Sequence, residues 1–339
     1  MDKIIIKKED VRMLRKSFSL MLVGCVIAFT LGCPGIISEF SILSLAGDTY
    51  FTSYTTPATG VSPNITIDDL LLLINGDDPP YIIDWRKAED YDAGHIIGAV
   101  NMSLGDIGTQ LPSMPKDQLI VNVCYSGQTA SFATAVINLA GLDPEYAGLE
   151  ARNLKFGMCS VTTDTAFIPG TDKWVSQVAE DEWVDALEQT ENTATETYDF
   201  PEITTGETSL AGIIAAQATA AASGWNIPAA DVFASPDDYF VLNYWPMDQY
   251  LDPGHVPGAY QFTPKASLAT TADLNLLPTD KTIVVYCYTG QTSAQVTAYL
   301  RMLGYDAKSL LYGVNGFAFT VCPGTTYHEP ENDYSSIIE

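Results

Sequence analysis

Positive charge is what this 339-residue chain has least of. Sixteen Lys and Arg stand against 42 Asp and Glu, a formal net charge of −26. Six of those bases fall in the first 32 residues, so the remainder carries 10 bases against 39 acids. Such a field repels a phosphate backbone, and nucleic acid is excluded as a partner. The simplest consequence of the acidity is solubility, also in salt. Histidine is scarce as well. Of the three, His328 stands alone near the C-terminus with no ligand-like spacing around it; no metal site is argued and no cofactor is called for. Long apolar runs are missing too, the longest being Phe18 to Gly32, short for a full membrane span of about 20 residues. Disorder is excluded from the other side: 47% hydrophobic and 11% aromatic residues support well-formed cores, over a length sufficient for two domains.

The N-terminus reads as an export signal. Lys7, Lys8, Arg12, Arg15 and Lys16 precede the Phe18 to Gly32 run, which ends at Cys33-Pro34. Residues 1–33 are therefore expected to be a signal segment of lipoprotein type. Cys33 is the favoured lipidation site and Cys25 the alternative; an uncleaved anchor is the third possibility. The protein is expected outside the cytoplasm, in the periplasm or cell envelope, attached to the membrane through its N-terminus. Residues 34–60, rich in Ser, Thr and Gly without sustained periodicity, are expected to be a tether or a peripheral strand.

One stretch occurs twice: Cys124-Tyr125-Ser126-Gly127-Gln128-Thr129 and Cys287-Tyr288-Thr289-Gly290-Gln291-Thr292. Each follows a short apolar run (Leu119 to Val123; Thr282 to Tyr286) and leads into an amphipathic helical pattern, so each Cys is expected where a buried strand ends. The flanking order repeats as well. Tyr81 to Asp84 matches Asp237 to Asn243, and Gly94-His95-Ile96-Ile97-Gly98-Ala99 matches Gly254-His255-Val256-Pro257-Gly258-Ala259. Self-similarity at a domain-sized period means duplication rather than a solenoid. Strands alternating with helices imply an α/β fold with parallel pairing. The expected layout is domain 1 over 61–163, a helical and acidic linker region over 164–225, domain 2 over 226–325 and a tail over 326–339. Within the linker region, the Ala-rich Leu210 to Ala222 is expected to form a helix packed on one domain.

A strand end that curls into a helix N-terminus aims several backbone N–H groups inward, a nest that lowers a thiol pKa and holds an anion on sulfur. Gly127 and Gly290 permit the tight curve. With Asp84-Trp85-Arg86, Glu89-Asp90-Tyr91 and the Gly-His turn ahead of Cys124-x-x-Gly127, and the second turn ahead of Cys287-x-x-Gly290, the chain resembles a tandem rhodanese. The resemblance covers roughly residues 61–160 and 226–322. It implies two compact domains with central parallel sheets, cysteine persulfide intermediates on Cys124 and Cys287, and a supporting role for Asp84 and Arg86. It implies a structural role for the two Gly-His turns. Copy two departs from the pattern, with Asn243 in place of Asp84 and Tyr244-Trp245 in place of Trp85-Arg86, so its support must come from elsewhere.

Neither loop contains Arg or Lys, which argues against a strongly anionic donor such as thiosulfate. A protein persulfide, a polysulfide or a mercaptopyruvate-like molecule is easier to defend, with Lys155 or Lys308 as bases that could fold over the loops. Cysteine-dependent phosphatase chemistry needs an Arg six positions after the Cys to clamp phosphate; Ala130 and Ser293 stand there, which excludes it. Two alternatives stay open: a non-catalytic binding module with inert thiols, and a thiol-disulfide oxidoreductase resolving through Cys159 or Cys322. Oligomeric state is not readable from these residues.

Overall fold

The computed structural model describes residues 38–165, 168–178 and 181–339. The expected signal segment, with Cys25 and Cys33, lies outside the described residues.

Each copy is built on a sheet of five short parallel strands. In the first, β1 (Asn64–Ile65), β2 (Tyr81–Asp84), β3 (Val100–Asn101), β4 (Ile120–Val123) and β5 (Ala151–Leu154) lie in the order β1-β5-β4-β2-β3. In the second, β6 (Asn226–Ile227), β7 (Phe240–Asn243), β8 (Tyr260–Gln261), β9 (Ile283–Tyr286) and β10 (Ala307–Leu310) repeat that order as β6-β10-β9-β7-β8. A parallel sheet is covered on both faces and its central strands read as apolar runs; β4 and β9 are buried at every position. The register also repeats, Asp84 lying beside Val123 and Asn243 beside Tyr286. Each loop Cys therefore leaves its sheet from the carboxyl end of a central strand, where open α/β sheets place their ligands. The expected fold class holds: two α/β domains with parallel sheets flanked by helices.

Residues 34–60 are not a tether or a strand where the structure describes them. Helix α1 (Glu39–Ser53) starts on the Ser38 side chain, which accepts from the Ser41 amide at 3.1 Å, and buries Phe40, Leu43, Ala46, Tyr50 and Phe51. Its pattern shows no single apolar stripe because it is wedged among several elements. A Cβ on Gly47 would lie 2.1 Å from the Tyr299 ring, so the small residues that read as linker are what permit close packing. After α1, the first domain adds α2 (Ile67–Ile74) and α3 (Gln128–Ala140). The Ala-rich segment is a helix, α4 (Leu210–Ala221), and it packs on elements of both domains, α1, α3 and α5 (Gln291–Met302).

The loop helices α3 and α5 pack directly on one another and are buried almost all round, as helices at the centre of a large core are. Tyr50 of α1 ties both together: its hydroxyl donates to Gln295 Oε1 at 2.7 Å and accepts from Asn138 Nδ2 at 3.3 Å.

The chain beyond each domain crosses to the other. Trp183 N donates to the Phe317 carbonyl (3.2 Å), and Glu188 forms a two-way backbone bridge with His255, both bonds 2.8 Å. After domain 2, Tyr334 N donates to the Val161 carbonyl (3.4 Å), and Glu339 bridges His95 at 2.9 and 3.0 Å. Each glutamate side chain then caps a glycine amide of the turn it meets: Glu188 accepts from Gly258 N and Glu339 from Gly98 N, both at 2.8 Å. Among the described residues no helix is long and apolar enough to cross a membrane.

Candidate active site

The two loops are built alike. After β4, Cys124 Sγ accepts from the amides of Gly127 at 3.2 Å and Ala130 at 3.4 Å. After β9, Cys287 Sγ accepts from the amide of Ser293 at 3.3 Å. Gly127 and Gly290 sit at φ +88° and +74° at the start of α3 and α5, the left-handed conformation that turns the amides inward. Behind each loop a second glycine presses close. At Gly157 a Cβ would lie 2.3 Å from the Cys124 carbonyl, and at Gly313 the same distance from the Cys287 carbonyl.

Amide donors thus reach the sulfurs, yet the thiols are covered. Cys124 is 1% and Cys287 3% exposed. For Cys124 the expectation of a lowered pKa is corrected: burial pushes the thiol up. The amides of Ala130, Ser126 and Gly127 act against it without overcoming it, and the Asp84 charge adds to the rise. Loop 2 has one polar group more, the Ser293 hydroxyl 3.6 Å from Cys287 Sγ and 2.9 Å from Ser309 Oγ. The equivalent position in loop 1 is Ala130.

The remaining loop residues part company. Tyr125 donates its hydroxyl to Asp90 and lies under Lys173 Nζ, 4.9 Å from the ring centre. Tyr288 donates to Gln249 and stacks on Trp245, centroids 5.4 Å apart. Ser126 offers its carbonyl to Trp174 Nε1 (2.9 Å); Thr129 is half-buried and Thr289 buried. Thr292 accepts from the Tyr54 hydroxyl at 3.3 Å. Gln128 and Gln291 send their side chains out of their own loops, toward backbone of the other copy. Lys155 lies along the Phe156 ring, 5.3 Å from its centre, and Lys308 is in β10.

In copy one a buried Asp84/Arg86 pair ties the end of β2 to the Gly-His turn. Arg86 Nη2 donates to Asp84 Oδ2 and to the Gly94 carbonyl, each at 2.7 Å, joining strand end to turn. In copy two a tyrosine does this work. The Tyr286 hydroxyl accepts from Asn243 Nδ2 (2.8 Å) and from Val256 N (3.1 Å), so an uncharged bridge spans the same gap between β7 and the Gly-His turn. The turn histidines are fixed likewise in both copies: His95 and His255 hold their Nδ1 atoms 2.9 Å from the Tyr91 and Tyr250 carbonyls.

Cys159 and Cys322 are free thiols, as are both loop cysteines. Cys159 N donates to the Tyr125 carbonyl and Asn315 N to that of Tyr288, so Asn315 is the positional counterpart of Cys159. Cys322 comes to rest beside it, its Sγ 3.4 Å from Asn315 Nδ2. Burial pushes the Cys159 thiol up to about 12 and that of Cys322 upward. Beside loop 1, where Trp174 bonds the Ser126 carbonyl, lies an aromatic cluster that sequence reasoning did not assemble. Trp174 stacks on Tyr327 at 5.4 Å with Phe156 and Tyr312 edge-on, and Tyr327 donates to the Cys159 carbonyl at 3.1 Å. Its members come from the end of each copy and the segment that follows it, and only contact in space unites the two pairs.

Comparison with known proteins adds a family. The rhodanese-like domain profile matches residues 66–161 and again 235–319. A Bacillus subtilis protein named as a sulfur carrier, YrkF, is 25% identical over 79 residues, which is 23% of this chain and 43% of that protein. The match thus spans less than half the length of this curated relative. Among solved structures, a rhodanese-like domain protein from Staphylococcus aureus is 26% identical, covering 28% of this chain and 86% of that one, with a TM-score of 0.24. The 3-mercaptopyruvate sulfotransferase SseA from Escherichia coli is 16% identical, covering 75% of this chain and 98% of its own, with a TM-score of 0.25.

Proposed function

This chain belongs to the rhodanese-like domain family, the two matched segments together making up more than half of it, and on that premise we propose that it is an extracytoplasmic sulfurtransferase carrying sulfane sulfur on Cys124 and Cys287. The observation that carries this reading is the aim of main-chain amides at each sulfur, from Gly127 and Ala130 in loop 1 and from Ser293 in loop 2. Such donors accommodate charge on an outer sulfur once it forms.

The step is a thiol exchange. The cysteine sulfur attacks the outer sulfur of a donor persulfide, forming a new S–S bond while the donor's own S–S bond breaks. The donor leaves as a thiolate with the electron pair of that bond and takes up the cysteine proton, so no separate oxidant is needed. Delivery to an acceptor thiol reverses the sequence. Because burial raises the Cys124 thiol, transfer of its proton to the leaving thiolate is part of the work at loop 1.

The donor is a small sulfane-sulfur molecule or a protein persulfide without strong negative charge. The loops supply neutral donors, and around Cys287 stand the phenols of Tyr54 and Tyr244, kept neutral by burial, Tyr244 with its pKa pushed up to about 12. Treatment with polysulfide should add about 32 daltons, one sulfur atom, at each loop peptide, and cyanide should release it. Cys124→Ser and Cys287→Ser alone should each halve the releasable sulfur, and the double variant should abolish it. Absence of adducts at both loops would sink the enzyme reading. The burial of both thiols favours a second reading, a non-catalytic module that presents its loops to a partner, and unmodified mass after polysulfide is its expected result. Export and lipidation at Cys33 rest on the basic and apolar N-terminal sequence; palmitate labelling lost in Cys33→Ser is the outcome expected.

A further inference from the structure

Each cysteine loop opens its helix with a glutamine whose side chain serves the opposite loop. Gln128, four residues after Cys124, reaches across the boundary between the copies. Its Nε2 donates to the carbonyls of Gly290 and Leu310, both at 3.3 Å, and its Oε1 accepts from Tyr312 N at 2.9 Å. Gln291, four residues after Cys287, reaches the other way, its Oε1 accepting from Phe156 N at 3.2 Å. Gln128 and Gln291 are 2% and 3% exposed. The groups they meet form the frame of the loops. Gly290 is the left-handed turn of loop 2, and Phe156 and Tyr312 precede the two glycines that press on the loop carbonyls. A buried amide bonded to main chain on a neighbouring element fixes the spacing of the two, because losing either bond strands a polar group away from water.

We propose that Gln128 and Gln291 are positioning residues that act across the domain boundary: Gln128 holds the Cys287 loop closed over its thiol, and Gln291 holds the Cys124 loop. The reactivity of each thiol is thereby set by the opposite copy. The two braces are unequal. Gln128 makes three bonds to main chain of loop 2 and its neighbours, whereas Gln291 makes one, from Phe156 N. The stronger control therefore runs from Gln128 to Cys287. None of this depends on the thiols carrying sulfur.

The test is site-resolved alkylation of the full chain with iodoacetamide, read by peptide mass spectrometry on resting, reduced protein. Gln128→Ala should speed modification of Cys287 about five-fold, the factor expected from one net hydrogen bond, and leave Cys124 within about two-fold. Gln291→Ala should speed Cys124 by a smaller factor and spare Cys287. Gln128→Met keeps the packing volume and replaces the alanine variant should that one fail to fold. Only this crossed pattern supports the proposal. Equal changes at both thiols, a change confined to the thiol of the substituted loop, or no change at either overturns it. Because the readout uses resting thiols, it succeeds or fails independently of the persulfide chemistry.

Discussion

At the residue scale the two copies solve one problem with different chemistry. In copy one the strand end and the Gly-His turn are joined by a buried charge pair; in copy two, by the Tyr286 hydroxyl. The two are unequal in what their loss does. Arg86→Ala would leave the Asp84 carboxylate buried without its cation, and destabilisation by about 3–5 kcal/mol is expected in urea titration. Tyr286→Phe keeps the ring and strands only neutral donors, and about 1–3 kcal/mol is expected. The thiols and phenols carry a pH signature. The folded-state pKa of Cys159, about 12, lies above that of an unfolded cysteine, about 8.5. The stability it contributes is complete below about pH 8.5 and is lost as pH rises toward 12. Tyr244, also pushed up to about 12 by burial, acts in the same direction from about pH 10. The melting temperature should therefore fall steadily above about pH 9, and Cys159→Ala should flatten the early part of that fall.

At the element scale the organising pair is α3 and α5, with α1 laid against them. Helices made of Ala, Ser, Thr and Gln can approach closely and still satisfy their polar groups, as Tyr50 shows by bridging Gln295 and Asn138. Removing that hydroxyl in Tyr50→Phe leaves two buried amide groups short of a partner. A loss of about 1–3 kcal/mol is expected, measured as a lower urea midpoint with unchanged slope. Ser38→Ala removes the cap of α1 and should lower stability by about 1 kcal/mol, read the same way. The larger effect of Tyr50 would mark α1 as a part of the core rather than an appendage.

At the scale of the whole molecule, the duplication includes the crossing segments. Trp183 to Glu188 and Tyr334 to Glu339 follow the same course, each leaving its own domain and sealing the Gly-His turn of the other. Removing residues 334–339 should therefore raise amide exchange at 94–99 of domain 1, while the turn around His255, sealed by Glu188, keeps its protection. A chain in which both turns loosen together would show that the segments do not act domain by domain.

The sequence by itself determined the duplication, the parallel α/β architecture and the place of Cys124 and Cys287 at strand ends, because these follow from local signals: short apolar runs, a Gly that turns the chain and a motif order repeated in full. It also showed that copy two lacks the Asp84/Arg86 pair without showing what replaces it, since a tyrosine at the end of β9 reads as core. Only the tertiary structure decided that residues 39–53 form a wedged helix, that Trp174 and Tyr327 stack beside the first loop, that Gln128 and Gln291 reach across, and that the thiols lie buried. Those features depend on groups far apart in the chain meeting in space. The desolvation that raises the Cys124 thiol is likewise a sum over everything packed around it, a quantity that no local stretch of residues contains.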